Sequence, residues 1–418
     1  QYDGIKGDFI KLYISYVQLS FESAMMGETM NRLIFEGRFL VNLTGSIMRQ
    51  DDLRPVHGRL DWERMYRTAD YHRIANIIYL GVLGNGERVP ARWKNRFFER
   101  YQEALRFGDI CAHAENEILT LLDMGGISCT VLESCGIRDL YHIHEIAANS
   151  PLRLYLDSES YSLAKGYLVD LGYETDRFYD GFGEHMKRVS GFEVDIYYKI
   201  PFPVRLFEKQ MLYLLEHAQV RSTYQYVRTL PVEDQFLFRL AEAACHYVTD
   251  ELLIRELLDI YVIYQAWQAQ LNQEYIMKKL SDFHIDELAG KLVQISCMWF
   301  GTKKDAVFGL LPEDMGVFDV LENRMLSRGA IMKETDTQAA CLLQLIQKEQ
   351  DRERHRKKLE RVRKKAKECW QRFTRRLSWI FPEYKYMCAI YPVLEKIPFL
   401  LPFCWISRDI RLLLGMFR

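Results

Sequence analysis

Glycine and proline are scarce in this chain, at 24 and 11 of 418 residues. That scarcity disfavours long irregular connections and folds dense in turns. No two of the nine cysteines stand as C-x-x-C, which excludes a zinc knuckle and a thioredoxin-like motif. An odd number of scattered thiols fits a reduced, cytoplasmic protein. Neither sign of charge prevails: 56 Lys and Arg against 57 Asp and Glu leave a formal −1, so the whole molecule is not a polyelectrolyte binder. Long apolar runs are missing as well. Ile397 to Ile406 is about half a membrane span and holds Pro398 and Pro402, so no transmembrane segment is expected. Asp3, Lys6 and Asp8 interrupt the first apolar stretch, which argues against a signal peptide. No internal repeat or low-complexity tract stands out. What the chain does have is apolar surface: 49% hydrophobic residues, with 25 Tyr and 23 Phe, exclude a disordered chain and suffice for two or three packed domains.

The pattern along the chain predicts four regions. Residues 1–120 read as helices: Ile10, Tyr13, Ile14, Val17 and Phe21 recur at helical steps, another helix starts near Asp61, and a third carries Ile110 to Leu122 and stops at Gly125-Gly126. Residues 121–205 read as a small α+β unit. Ile127 to Leu132 is a strand candidate; Leu152, Leu154 and Leu156 alternate with Arg153, Tyr155 and Asp157; a helix follows from Ser158 to Leu171. His185–Val189 and Phe192–Tyr198 flank Ser190-Gly191 as a hairpin. Residues 206–350 return to helical periodicity, and 351–418 combine a basic helix with an aromatic, proline-punctuated tail. The expected fold class is therefore α+β, a small mixed sheet embedded between mainly helical N- and C-terminal regions.

Several short motifs stand in a fixed order. They are Ala69 and His72 on a tryptophan-led helix, Leu140-Tyr141, Leu171-Gly172-Tyr173-Glu174, His246, Ile254-Arg255, and Leu258-Asp259-Ile260. With a tail reading YPVLEK…LLPFCWISR, this order resembles the uncharacterised nucleotidyltransferase family, a bacterial branch of the polymerase-beta-like nucleotidyltransferase superfamily. The resemblance implies a nucleotidyltransferase core. In that superfamily, two carboxylates one residue apart on a strand, with a third on a neighbouring strand, hold two magnesium ions. Residues i and i+2 of a strand share a face about 6.6 Å apart, and oxygen ligands suit magnesium, which bridges nucleotide phosphates.

This chain departs from the pattern at those positions. Aligned on Leu132 and again on Leu171-Gly172-Tyr173-Glu174, the family's Lys-Gly falls on Glu133-Ser134, its strand-preceding Arg on Ala147, and its first and second metal-binding Asp on Pro151 and Arg153. The third acid survives as Asp195, the one catalytic residue the resemblance carries over, and the histidine that often follows it is Tyr197. Proline has no ligand atom and arginine is a fixed cation. The expectation is a catalytically degenerate protein with no cofactor, in which Arg153 pairs with Asp195 and the fold serves nucleotide sensing or an unknown protein partner.

Other candidates compete with plainer explanations. Asp157 and Glu159 could join Asp195 as a rearranged acidic set for an active enzyme using magnesium and a nucleoside triphosphate, but a helix cap followed by a first-turn acid explains them better. His142 and His144 beside Glu145 lack a distant fourth ligand. His246, Arg255 and Asp259 could line a cleft with Tyr197 or form an ion-pair network, with Asp250 as a further acid near Arg255. Between Asp351 and Arg376 stand 13 Lys and Arg against four acids. This segment, residues 351–376, could contact nucleic acid or anionic lipid; the favoured expectation is a solvated helix whose Leu359, Val362, Ala366 and Trp370 form a narrow seam against the body.

Overall fold

The computed structural model describes residues 34–51, 60–85, 88–147, 149–302, 308, 316–327 and 336–415, with backbone alone for 372–380. The helix expected around Ile10 to Phe21 lies outside these residues. The chain divides into two compact units, residues 1–346 and 347–418.

The first unit opens with α1 (34–49), α2 (Trp62–Tyr71), α3 (Ala75–Gly84) and the 34-residue α4 (Ala91–Met124). Asp61 caps α2 by accepting the Arg64 N–H at 3.1 Å. Helix α4 ends where Gly125 caps it and Gly126 takes φ +66°, a conformation glycine adopts without a Cβ penalty. There follow β1 (Cys129–Glu133), β2 (Leu152–Leu156), α5 (Ser158–Asp170), β3 (Tyr173–Tyr179), β4 (Gly183–Arg188) and β5 (Glu193–Tyr197). The alternating strand, the capped helix and the hairpin are thus where the sequence pattern places them.

The region expected to be wholly helical after Phe207 is not. Between α6 (Arg205–Glu216) and α7 (Val232–Val248) lie β6 (Gln219–Val220) and β7 (Val227–Thr229). These complete a seven-stranded sheet of order β3-β4-β5-β2-β1-β7-β6. At two and three residues they carry no local signal; β7 exists because it pairs in parallel with β1. Strand β3 was also hidden, since Tyr173 is its one buried residue.

One sheet face is apolar. Cys129, Val131, Leu152, Leu154, Leu156, Val194 and Ile196 pack on Phe107, Ile118 and Leu122 of α4 and on Ala164 and Leu168 of α5. Burial on this scale supplies roughly 1.5–3 kcal/mol per large side chain. The opposite face turns toward α7, α8 (Ile254–Trp267), α9 (Gln273–Asp282) and α10 (Asp286–Phe300), whose core includes Tyr197, Phe202, Phe207 and Phe238. Strand alternation therefore sends Arg153, Asp195 and Tyr197 to the helical side.

Helix α11 (Gly316–Ser327) and the start of α12 (Thr337–Ile380) complete the first unit. In the second, α12 continues into α13 (Tyr384–Ile390), α14 (Val393–Lys396) and α15 (Leu401–Gly415), around a core that among the described residues consists of Met387, Leu394 and Cys404. On α12, Leu359, Val362 and Trp370 are 57–65% exposed.

Two elements far apart in sequence are joined by His72, whose buried Nδ1 accepts the Ile254 N–H at 3.2 Å, satisfying a donor at the start of α8. Replacing His72 by alanine should lower unfolding free energy by about 1–3 kcal/mol, the cost of an orphaned buried donor. Urea unfolding measures this, and an unchanged midpoint would remove the cap from the account.

Candidate functional site

Strand register puts four polar residues in one row across the sheet. Glu133 of β1 faces Arg153 of β2, Arg153 faces Asp195 of β5, and Asp195 faces His185 of β4. All four are buried. Helix α7 lies over this row and contributes Arg239, Glu242 and His246, at i, i+3 and i+7 on one helical face.

The charges close into a ring. Arg153 Nη1 donates to Glu242 at 2.7 Å and lies 3.4 Å from Glu133. Arg239 reaches Glu133 at 2.5 Å and Glu242 at 3.7 Å. Two guanidiniums and two carboxylates alternate, so each acid has two cations. Burial opposes the charge on Glu242, yet Arg153, His246 and Arg239 together pull its carboxyl down to about 2. Burial likewise opposes the charge on Arg153, and Glu242 foremost keeps it protonated. The Arg153 guanidinium lies between the Tyr197 and Phe238 rings, 5.6 and 5.4 Å from their centres. Removing one partner of such a buried pair typically costs about 3–5 kcal/mol.

The direct Arg153–Asp195 pair expected from the sequence is not formed. The two are neighbours in register, but the long arginine stem lifts its charge off the sheet to α7. The short aspartate stays near the sheet and meets its other neighbour: His185 Nδ1 lies 2.7 Å from Asp195 Oδ1. The Tyr179 and Tyr197 hydroxyls donate to the same carboxylate at 3.0 and 3.2 Å. The hydrogen bond to Asp195 raises the His185 pKa against the effect of burial. Two residues along β4, Gly183 lets that strand approach β5 closely, since a Cβ there would stand 1.9 Å from the Ile196 carbonyl oxygen.

Beside the ring is a second network. Arg255 Nη2 pairs with Asp259 at 3.1 Å, its Nη1 donates to the Ile146 carbonyl at 3.0 Å, and the guanidinium lies 4.7 Å from the centre of the Tyr141 ring. Tyr141 donates its hydroxyl to Asp259. His246 Nδ1 lies 2.7 Å from Glu256. Asp250, expected near Arg255, pairs instead with Arg324 at 2.9 Å.

Both networks border a cleft of about 450 Å³ lined by Glu133, Pro151, Arg153, Asp195, Tyr197, His246, Arg255 and Asp259, all singled out in the sequence. Ser134 does not line it. Its hydroxyl accepts the Gly136 N–H, capping a short 3-10 turn, and donates to Glu115 at 2.6 Å, toward a separate cavity of about 600 Å³. Asp157 caps α5, accepting the Glu159 and Ser160 N–H groups at 3.0 and 2.8 Å, and neither Asp157 nor Glu159 borders the cleft. His144 Nδ1 turns to the Arg138 carbonyl at 3.0 Å. Sequence reasoning missed Arg239, Glu242, His185, Tyr179 and Glu256; the polar i, i+3, i+7 run among the apolar residues that follow the first turn of α7 was the available signal.

The second network makes stability depend on pH. Burial lowers the His246 pKa, but the hydrogen bond and charge of Glu256, with Glu242 behind it, raise it from 6.5 to about 9. The resulting stabilisation is complete below pH 6.5 and is lost as pH rises through about 9. The melting temperature should therefore fall across that interval, and more shallowly in His246→Gln. Equal slopes for the two proteins would contradict the assignment.

No curated protein and no solved structure gives a significant match to this chain. A family model described as an uncharacterised nucleotidyltransferase matches residues 58–301, which run from the approach to α2 through α10 and include every residue of both networks. That match covers more than half of the sequence, and the protein belongs to the uncharacterised nucleotidyltransferase family.

Proposed function

We propose that this protein keeps the nucleotidyltransferase fold without the two-metal chemistry, and that the cleft serves as a nucleotide-sensing or protein-interaction module. The observation that carries the reading is the closed ring. At the position aligned with the second metal-binding carboxylate, the Arg153 guanidinium lies against Glu242 and Glu133. The donor set does not fit a pair of magnesium ions. Glu133 and Glu242 are each held by two arginines, and Asp195 is held by His185, Tyr179 and Tyr197. A divalent cation would have to displace guanidiniums that already neutralise the acids. Across the cleft, six Lys and Arg stand against seven Asp and Glu, so little surplus negative charge is left to attract magnesium.

Anion binding without a metal suits the same cleft. Arg73 and Arg177 border it, and neither has a carboxylate partner among the described residues. Guanidiniums hold phosphate oxygens through paired N–H donors. A nucleotide phosphate at the mouth would meet these two arginines, while the ring behind them stays intact.

Thermal shift with adenosine and guanosine triphosphates, with and without magnesium, tests the reading alongside a labelled-triphosphate transfer assay. Stabilisation indifferent to magnesium and weakened by Arg73→Ala with Arg177→Ala is the expected result, with no transfer of label. Magnesium-dependent labelling of an acceptor, abolished by Asp195→Ala, would instead establish an active transferase. The rearranged acidic set of Asp157, Glu159 and Asp195 then gains support only if Asp157→Asn also abolishes labelling.

A further inference from the structure

The second unit exposes much of its apolar surface. On α15, Phe403, Ile406, Ile410 and Leu413 follow steps of three and four residues and form one outward stripe, each more than half exposed. Phe399, just before the helix, is 78% exposed. The inward side is occupied: Cys404 is buried, and Trp405 Nε1 donates to the Pro382 carbonyl at 3.1 Å. On α12, Leu359 and Val362 are exposed along the same side of the helix as Trp370. Exposed apolar residues gathered on a helix face in this way normally mark an interaction site.

Charge identifies what that site takes. The acids of this stretch of α12 are partly used within the helix: Arg352, Arg354 and Arg356 pair with Glu349, Asp351 and Glu353. Beyond them, Lys358, Arg361, Arg363, Lys364, Lys365 and Lys367 have no acidic partner among the described residues. A second copy of the unit would bring the same excess of positive charge and repel it. Nucleic acid would satisfy the cations but offers nothing matching the aliphatic stripe of α15. A bilayer with anionic headgroups satisfies both, because its surface attracts Lys and Arg while its acyl boundary accepts Phe, Ile and Leu. Among the described residues no helix is long and apolar enough to cross a membrane, which leaves a position at the interface for these helices.

We propose that α12 around residues 358–367, together with α15, forms a docking surface for an anionic phospholipid bilayer, with Lys358, Arg361, Lys364 and Lys365 at the headgroups and the stripe Phe403, Ile406, Ile410 and Leu413 at the acyl boundary. Long basic stems let the charges stay at the headgroups while the apolar side chains sit deeper.

Sedimentation of the full chain with vesicles tests this. One set contains phosphatidylcholine alone, the other phosphatidylcholine with about 30% phosphatidylglycerol, the anionic fraction supplying the attractive surface potential. Partition into the anionic vesicles should exceed that into neutral ones by about tenfold and fall steeply with salt. The variant Arg361→Glu, Lys364→Glu, Lys365→Glu should lose this preference. The variant Phe403→Ser, Ile410→Ser should bind anionic vesicles about tenfold more weakly, since it removes apolar insertion. All five side chains are exposed, so wild-type circular dichroism is expected for both variants. No sedimentation with either vesicle would overturn the proposal, as would equal partition into both. Retention of RNA without vesicle binding would assign the surface to nucleic acid instead. A dimer dissolved by Phe403→Ser, again without vesicle binding, would assign the stripe to a second copy.

Discussion

Arg153 joins parts of the chain that are 89 residues apart, because its guanidinium leaves the β2 strand and ends on Glu242 of α7. The groups around the guanidinium depend on that contact. Glu133 is neutralised from both sides by Arg153 and Arg239, and Glu242 is held ionised in a buried setting. The Tyr197 and Phe238 rings enclose the cation. A strand-borne arginine therefore fastens the helical layer to the sheet. Two delocalised cations with fixed hydrogen-bond directions occupy the acids around them.

The motifs that reveal kinship serve a structural end. His72 satisfies the first turn of α8, Tyr141 donates to Asp259, and Arg255 ties Asp259 to the Ile146 carbonyl. These residues are scattered over nearly 190 positions, yet they converge on the start of α8 and the loop that precedes β2. Their loose spacing in the sequence reflects tertiary contact between elements. They frame the cleft and fix α8, while the ring of Arg153, Glu133, Arg239 and Glu242 lines it.

Much of the sheet was legible because alternation and capping are local. Leu152, Leu154 and Leu156 identify β2, Ser190-Gly191 marks the β4–β5 hairpin, and Asp157 caps α5. What stayed hidden depends on pairing at a distance. Strands β6 and β7 are too short to show a period, and β3 buries too little to show one. Arg239 and Glu242 at i, i+3 have the spacing of a solvent-facing helical pair; only the sheet beneath them makes them part of a buried ring. The partner of Asp195 was misjudged for a related reason: register identifies both of its neighbours, but side-chain length decides which one reaches it. On α12 the apolar steps were visible, while the exposure of Leu359 and Val362 was not.

Magnesium titration of the Arg153→Asp variant beside the wild-type protein, followed by calorimetry, tests most directly whether guanidiniums stand in for metal ions. Putting a carboxylate at that position leaves Glu133, Glu242 and Asp195 with an added acid and one cation fewer. The variant should be destabilised without metal and should acquire saturable magnesium binding that raises its melting temperature, while the wild-type protein shows neither. Equal magnesium binding by the wild-type protein would contradict the account.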